Sequence, residues 1–128
     1  MAYGTINVDT LTASTGVLAT QNGMTGIAKA WVRFAGSTAT INSSFNVSSV
    51  TRSSAGIYVV NFSTAMPNAN FSTEVTSGNG AGYWGYASNI VSPATGSVGC
   101  EISTPTGTSN TNPTYYDPQI VCVAVFSS

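Results

Sequence analysis

Hydrophobic and polar side chains alternate along much of this chain, and stretches with the spacing of an amphipathic helix are hard to find. The alternation is clearest over residues 28–34, 57–62 and 120–126. Five shorter segments also have the composition of strands: Thr38–Ile41, Phe45–Thr51, Phe71–Ser77, Tyr83–Ile90 and Ser97–Ser103. Segments that recur about every 8–12 residues, with turn residues between them, are typical of antiparallel sandwiches and barrels. We therefore predict an all-β fold, an antiparallel, jelly-roll-like β-sandwich with an extended N-terminal arm.

The last of the three long segments is apolar on both of its faces. One face carries Val121, Val123 and Val125, and the other carries Ile120, Cys122, Ala124 and Phe126. Strands with two apolar faces belong where both faces of a sheet are covered. We expect this strand to be central in its sheet and buried on both sides.

Turn residues separate the predicted strands. Residues 53–56 include two serines and a glycine and should close a hairpin, and Pro67 should open a loop over residues 66–70. Residues 104–118 contain three prolines and show no apolar period, which predicts a long exposed loop.

The N-terminal part of the chain differs from the rest in composition. Residues 12–26 are small, polar and punctuated by glycine, so this part is too short and too polar to form a core of its own. The predicted organisation is an N-terminal docking arm over residues 1–27 and a sandwich domain over residues 28–128.

The arm itself contains few large side chains. Ile6, Val8 and Leu11 could form one short strand, and together with Tyr3 they are the candidate docking residues. Two interpretations stay open: an arm that docks on another surface through these residues, or a frayed terminus.

Charge is scarce in this sequence. The chain has three Lys or Arg residues, four Asp or Glu residues and no histidine, for a net charge of −1. Three cations cannot neutralise a run of phosphates, so we expect no nucleic-acid binding and no attachment to anionic membranes. The apolar runs are far shorter than the roughly 20 residues that span a bilayer, which predicts no membrane insertion. The first residues lack the cationic start and apolar centre of a signal peptide, so we expect synthesis in the cytoplasm.

Low charge also affects how the folded surface behaves. Because 42% of the residues are hydrophobic, the chain contains enough apolar surface to fold. Its surface would be polar but nearly uncharged, and such surfaces resist self-association poorly. We expect an assembly in which much of the surface is covered.

Few groups in the chain could perform catalysis. The carboxylates are Asp9, Glu74, Glu101 and Asp117, and each stands alone in its segment. Without histidine there is no Ser-His-Asp or Cys-His arrangement and no imidazole ligand for a metal. Residues 80–85 match a nucleotide-binding G-x-G-x-x-G pattern, but a strand-like segment follows where phosphate binding needs a helix. We expect no enzymatic activity, no cofactor and no metal; a carboxylate pair acting as a glycosidase is the alternative.

Aromatic residues in glycine-rich and proline-rich segments are the candidate contacts with a receptor or glycan. They are Tyr83, Trp84, Tyr86, Tyr115 and Tyr116. Aromatic rings stack on sugar faces and anchor protein contacts. The alternative is that some of these rings belong to the core, since a strand buries alternate residues.

Cys100 and Cys122 both fall in predicted strands. They could pair as one disulfide between strands, or remain free as small buried side chains. The absence of a signal peptide favours free thiols.

Several spaced runs resemble a β-structured module of tailed bacteriophages. The run Gly26–Phe34 is similar to its A-K-A-W-V-x-F-x-G pattern, and residues 64–71 are similar to a T-x-A-M-P-x-x-N-[YF] signature. The closing segment 121–126 resembles the end of those modules. The opening residues 1–5 are similar to the start of short virion proteins of marine phages.

The resemblance implies a protein of the virion surface that is made in the host cytoplasm. It implies a trimeric short fibre or receptor-binding knob, anchored by the N-terminal arm. The implied partners are further copies of the chain in a homotrimer, a capsid, neck or tail protein, and a host surface glycan. A capsid decoration protein that stabilises the head is the alternative, and the position on the virion stays open.

Overall fold

The computed structural model describes residues 27–78, 87–103 and 114–127. All the regular secondary structure in these ranges is strand. The eight strands are β1 (Ala30–Ala35), β2 (Thr40–Phe45), β3 (Val47–Ser54), β4 (Ile57–Phe62), β5 (Ser72–Gly78), β6 (Ala87–Ala94), β7 (Ser97–Ser103) and β8 (Ile120–Phe126). They form two four-stranded antiparallel sheets, which confirms the predicted antiparallel β-sandwich.

The order of the strands shows how the sandwich closes. Sheet A has the order β2-β1-β8-β5, and sheet B has the order β3-β4-β7-β6. The hairpins β1–β2, β3–β4 and β6–β7 each stay within one sheet, and the other four connections cross between the sheets. The last strand, β8, lies between β1 and β5, so the two ends of the domain meet in the middle of sheet A.

The core lies between the sheets and is built from alternate residues of the central strands. Its fully buried members include Val32 and Phe34 on β1, Tyr58 on β4, and Ile102 on β7. The rings of Phe34 and Tyr58 meet edge to face with centroids 5.1 Å apart, and this contact joins the two sheets. Each buried aliphatic side chain stabilises the fold by about 1.5–3 kcal/mol.

The boundary between β2 and β3 lies at Asn46, so the predicted segments Thr38–Ile41 and Phe45–Thr51 divide these two strands at the wrong place. Asn46 has a φ of 55°, a left-handed conformation that asparagine tolerates better than most residues. Its Nδ2 donates to the carbonyl oxygens of Lys29 (3.0 Å) and Thr64 (3.1 Å), and its Oδ1 accepts from the Thr64 amide (2.7 Å). Lys29 precedes β1 and Thr64 follows β4, so one side chain ties together the same end of both sheets.

β6 also departs from the prediction, because it continues past Ile90 to Ala94 and includes Pro93. Ser92 has a φ of 46°, and the pairing with β7 shifts between Val91 and Ala94. Proline is tolerated at such bulges on edge strands, where its missing N–H breaks no regular ladder.

The edge strands are not alike. The pairing of β2 with β1, that of β3 with β4 and that of β6 with β7 are each interrupted by a shift in register. β5 pairs with β8 at seven consecutive positions without a shift. Among the described strands, β5 is therefore the one regular edge.

The central position predicted for the last strand is confirmed, but its burial on both sides is not. Val121, Val123 and Val125 are buried in the core. The outward side chains of β8, including Cys122 and Phe126, are only partly buried. The outer face of β8 is thus apolar without being fully covered.

The long loop predicted over residues 104–118 is only partly exposed. Residues 104–113 lie outside the described residues. Tyr115 and Tyr116 are exposed, whereas Pro118 is fully buried and Asp117 is partly buried. The end of this segment packs on the sandwich because Asp117 and Pro118 form hydrogen bonds to it, as described below.

Substitutions at Asn46 test the tie between the two sheet ends. We expect Asn46→Ala to destabilise the protein by about 2–3 kcal/mol, because it removes the amide hydrogen bonds and leaves a strained positive φ. Asn46→Gly relieves the backbone strain and should lose about 1 kcal/mol less. Urea unfolding measures both differences, and equal stability of the two variants would contradict the role of the backbone conformation.

Candidate functional site

Tyr115 and Tyr116 are the candidate contact residues that the structure describes. Their exposed fractions are 37% and 43%. Tyr115 forms an antiparallel bridge with Ser103, and its hydroxyl lies 3.5 Å from the Glu101 carboxylate. The Tyr116 amide donates to the carbonyl of Ile102 at 3.1 Å. The backbone of this pair is therefore fixed against β7 while the rings face solvent.

Asp117, the next residue, is held by three groups of sheet B. Its carboxylate accepts hydrogen bonds from Arg52 Nε (3.0 Å) and Nη2 (2.6 Å), from the Gly56 amide (2.9 Å) and from the Tyr58 hydroxyl (2.7 Å). Arg52 lies on β3, Gly56 in the β3–β4 turn and Tyr58 on β4. We call these four residues the Asp117 clamp.

The electrostatics of the clamp keep each group in one protonation state near neutral pH. The hydrogen bond from Arg52 is the main cause that lowers the pKa of Asp117 to about 2. Burial, followed by the hydrogen bond to Asp117, raises the pKa of Tyr58. Because the Asp117 carboxylate already accepts hydrogen bonds from Arg52, Gly56 and Tyr58, it is poorly suited to proton transfer. The clamp is therefore a structural device that positions the neighbouring tyrosines.

Two glycines allow the segment 114–118 to lie close against the sandwich. Gly56 has a φ of 68°, and a Cβ there would collide with the Ile102 carbonyl oxygen. The Gly36 amide donates to the Pro118 carbonyl at 3.0 Å, and a Cβ on Gly36 would collide with that same oxygen. Gly36 lies in the β1–β2 turn, so the segment bridges both sheets at the end opposite Asn46.

Glu74 and Glu101 are not placed to act together on one bond. Glu74 lies on the outer face of sheet A, and Glu101 lies on the outer face of sheet B. A glycosidase needs two carboxyl groups on either side of one bond, within about 5–10 Å of each other. Within the described ranges no group of three or more His, Cys, Asp or Glu residues could hold a metal ion. The same ranges contain no helix long and apolar enough to cross a membrane.

The outer face of sheet A carries aromatic and small side chains in cross-strand rows. Trp31 pairs with Phe45 on one side and Ala124 on the other, and Ala124 pairs with Glu74. Trp31 is 39% exposed. The sequence places Trp31 on the face opposite Val32, but its neighbours follow only from the register of β2 and β8.

The two cysteines are free, as expected. Cys100 faces the core, and Cys122 faces away from it on the other sheet, so their Cβ vectors cannot meet in a disulfide. Burial raises the pKa of the Cys100 thiol to about 12.

The other predicted contact residues lie outside the described residues: Tyr83, Trp84 and Tyr86, and the arm residues Tyr3, Ile6, Val8 and Leu11. Their roles stay predictions. The strand that follows residues 79–86, β6, begins near Tyr115, because Ala87 pairs with Ser103, which also bridges Tyr115.

Comparison with models of protein families, with curated proteins and with solved structures found no match to this chain.

The Asp117 clamp predicts an acid-dependent loss of stability. Because the folded-state pKa of Asp117 is below its ordinary value of 3.8, the clamp stabilises the protein above about pH 4. That contribution is lost as the pH falls towards 2. Asp117→Asn should lower the free energy of unfolding at pH 7 and flatten its pH dependence between pH 4 and 2. Glu74→Gln, compared in dilute protein, is the control, and an unchanged acid dependence in Asp117→Asn would exclude the clamp as its cause.

The thiols should react very differently with an alkylating reagent. In dilute native protein we expect Cys122 to be alkylated first and Cys100 only on unfolding, because the buried thiol is rarely ionised. Mass spectrometry of peptides after timed alkylation measures this order. Cys122→Ser should leave the native protein unlabelled, and rapid labelling of Cys100 would contradict the described core.

Proposed function

We propose that this chain is a structural protein of the exterior of a tailed-phage virion, a trimeric short fibre or receptor-binding knob anchored by its N-terminal arm. The observation that carries the receptor-binding part is the exposed tyrosine pair, Tyr115 and Tyr116, on a backbone that the Asp117 clamp holds rigid. The virion assignment rests on the sequence resemblance. On this proposal the chain is made in the host cytoplasm and lies on the virion surface.

The chemistry of the tyrosine pair suits a carbohydrate or a protein ligand. Tyrosine offers a broad apolar face and a polar tip, and ordering it costs little conformational entropy. Glu101 places a carboxylate beside Tyr115, which could accept hydrogen bonds from sugar hydroxyls. Because the backbone is held in advance, binding would not have to order it. Tyr83, Trp84 and Tyr86 are proposed to extend the same contact surface.

The alternative function is a capsid decoration protein that stabilises the head. The partly exposed apolar face of sheet A favours it, because a lattice of subunits would cover such a face. The small number of charged residues in the chain also favours close packing of subunits and so supports the same alternative.

The number of copies per purified virion separates the two functions. A few copies to a few dozen, measured by quantitative mass spectrometry against the major capsid protein, would support a fibre or knob. Hundreds of copies would support capsid decoration. Absence of the chain from the particle would exclude both.

Alanine substitutions test the contact surface. Tyr115→Ala and Tyr116→Ala should each weaken binding to host cells or to a glycan array at least tenfold, since such anchors contribute about 2 kcal/mol. Ile90→Ala, at an exposed apolar side chain of β6, is the matched control and should bind normally. Undiminished binding of both tyrosine variants would contradict this role for the pair.

A further inference from the structure

We infer that the outer face of sheet A is the surface through which copies of this chain bind one another, with Arg33 of one copy paired with Glu74 of the next. This inference rests on the assembly proposed above and names the surface that holds it together. The occupant of the face is a second copy of this chain.

The first reason is the apolar character of the face. On β1, β2 and β8 its outward side chains include Trp31, Phe45, Cys122, Ala124 and Phe126, while β5 turns Ser72, Glu74 and Thr76 outward. The outer face of an antiparallel sheet is commonly solvated and polar. The two central strands of sheet B follow that rule in part, since β7 turns Gly99 and Glu101 outward, whereas β4 turns Ile57, Val59 and Asn61 outward. β8 turns four apolar side chains outward, at the centre of its sheet.

The second reason is that the shape of the face complements itself. Trp31 and Phe45 are paired neighbours and form an aromatic ridge. The next strand, about 5 Å away, presents the small side chains of Ala124 and Cys122 as a floor. The ridge of one copy can therefore pack on the floor of another.

The third reason is charge. Arg33 and Glu74 are both exposed on this face, on opposite sides of β8. Arg52 is already engaged in an ion pair with Asp117. A second copy that lays its ridge on the floor of the first brings its own Arg33, beside the ridge on β1, towards Glu74 of the first copy, beside the floor on β5. Such a head-to-tail contact forms a closed ring when its rotation returns to the start, as in a trimer.

A charge swap on the full-length chain tests the contact. Sedimentation or light scattering should show a defined oligomer for the wild type. Arg33→Glu and Glu74→Arg should each weaken association at least tenfold, and the double variant should restore it. Trp31→Ser should also weaken it. Glu101→Arg makes the same charge change on the outer face of sheet B and should associate normally.

The alkylation rate of Cys122 gives a second readout at the centre of the face. It should be slow in the assembled wild type and faster in Arg33→Glu, while circular dichroism shows that the variant is folded. A wild type that stays monomeric at every concentration overturns the inference, as does failure of the double variant to recover. If the monomer's Cys122 reacts faster after residues 1–26 are deleted, the arm rather than a second copy covers the face. A monomeric wild type would also contradict the trimer of the proposed function, whereas an oligomer whose double variant fails to recover would overturn only the contact inferred here. The copy number per virion tests the proposed function independently of both.

Discussion

The rest of this domain depends on the hydrogen bonds accepted by the carboxylate of Asp117. It joins residues that are about sixty positions apart in the chain and closes one end of the sandwich. Its partner Tyr58 also fills the centre of the core, so packing and polar bonding meet in one side chain. The segment that carries the exposed tyrosines would otherwise be a proline-rich loop with a large conformational entropy.

Asn46 performs the corresponding task at the other end of the sandwich. Each end of the sandwich is thus closed by one polar side chain, which forms hydrogen bonds to residues far from it in the sequence. A sheet pair held only by apolar contacts could slide, because such contacts have little direction. Hydrogen bonds at both ends fix one register, and this fixed frame carries the tyrosine pair and the aromatic ridge.

The sequence alone predicts the strands well because alternation is a local property that each segment displays by itself. It does not predict the clamp, since nothing near Asp117 indicates that Arg52 and Tyr58 will meet it. It also misplaces the break at Asn46, because Phe45 and Val47 continue the apolar alternation and hide a corner. The exposure of Tyr115 and Tyr116 could be predicted from the surrounding prolines. The pairing of Trp31 with Phe45 and Ala124 could not, because it depends on the register between distant strands.

The regular edge of β5 makes the rate of folding important when this protein is produced. An uninterrupted edge strand leaves a row of backbone donors and acceptors without partners, and such a row can template the addition of another extended chain. The bulges of the other three edges hinder this addition. At high concentration, newly made chains that are still unfolded can add to the β5 edge of a folded copy. The rate of folding relative to this addition therefore decides whether the product is a folded domain or a fibrous aggregate.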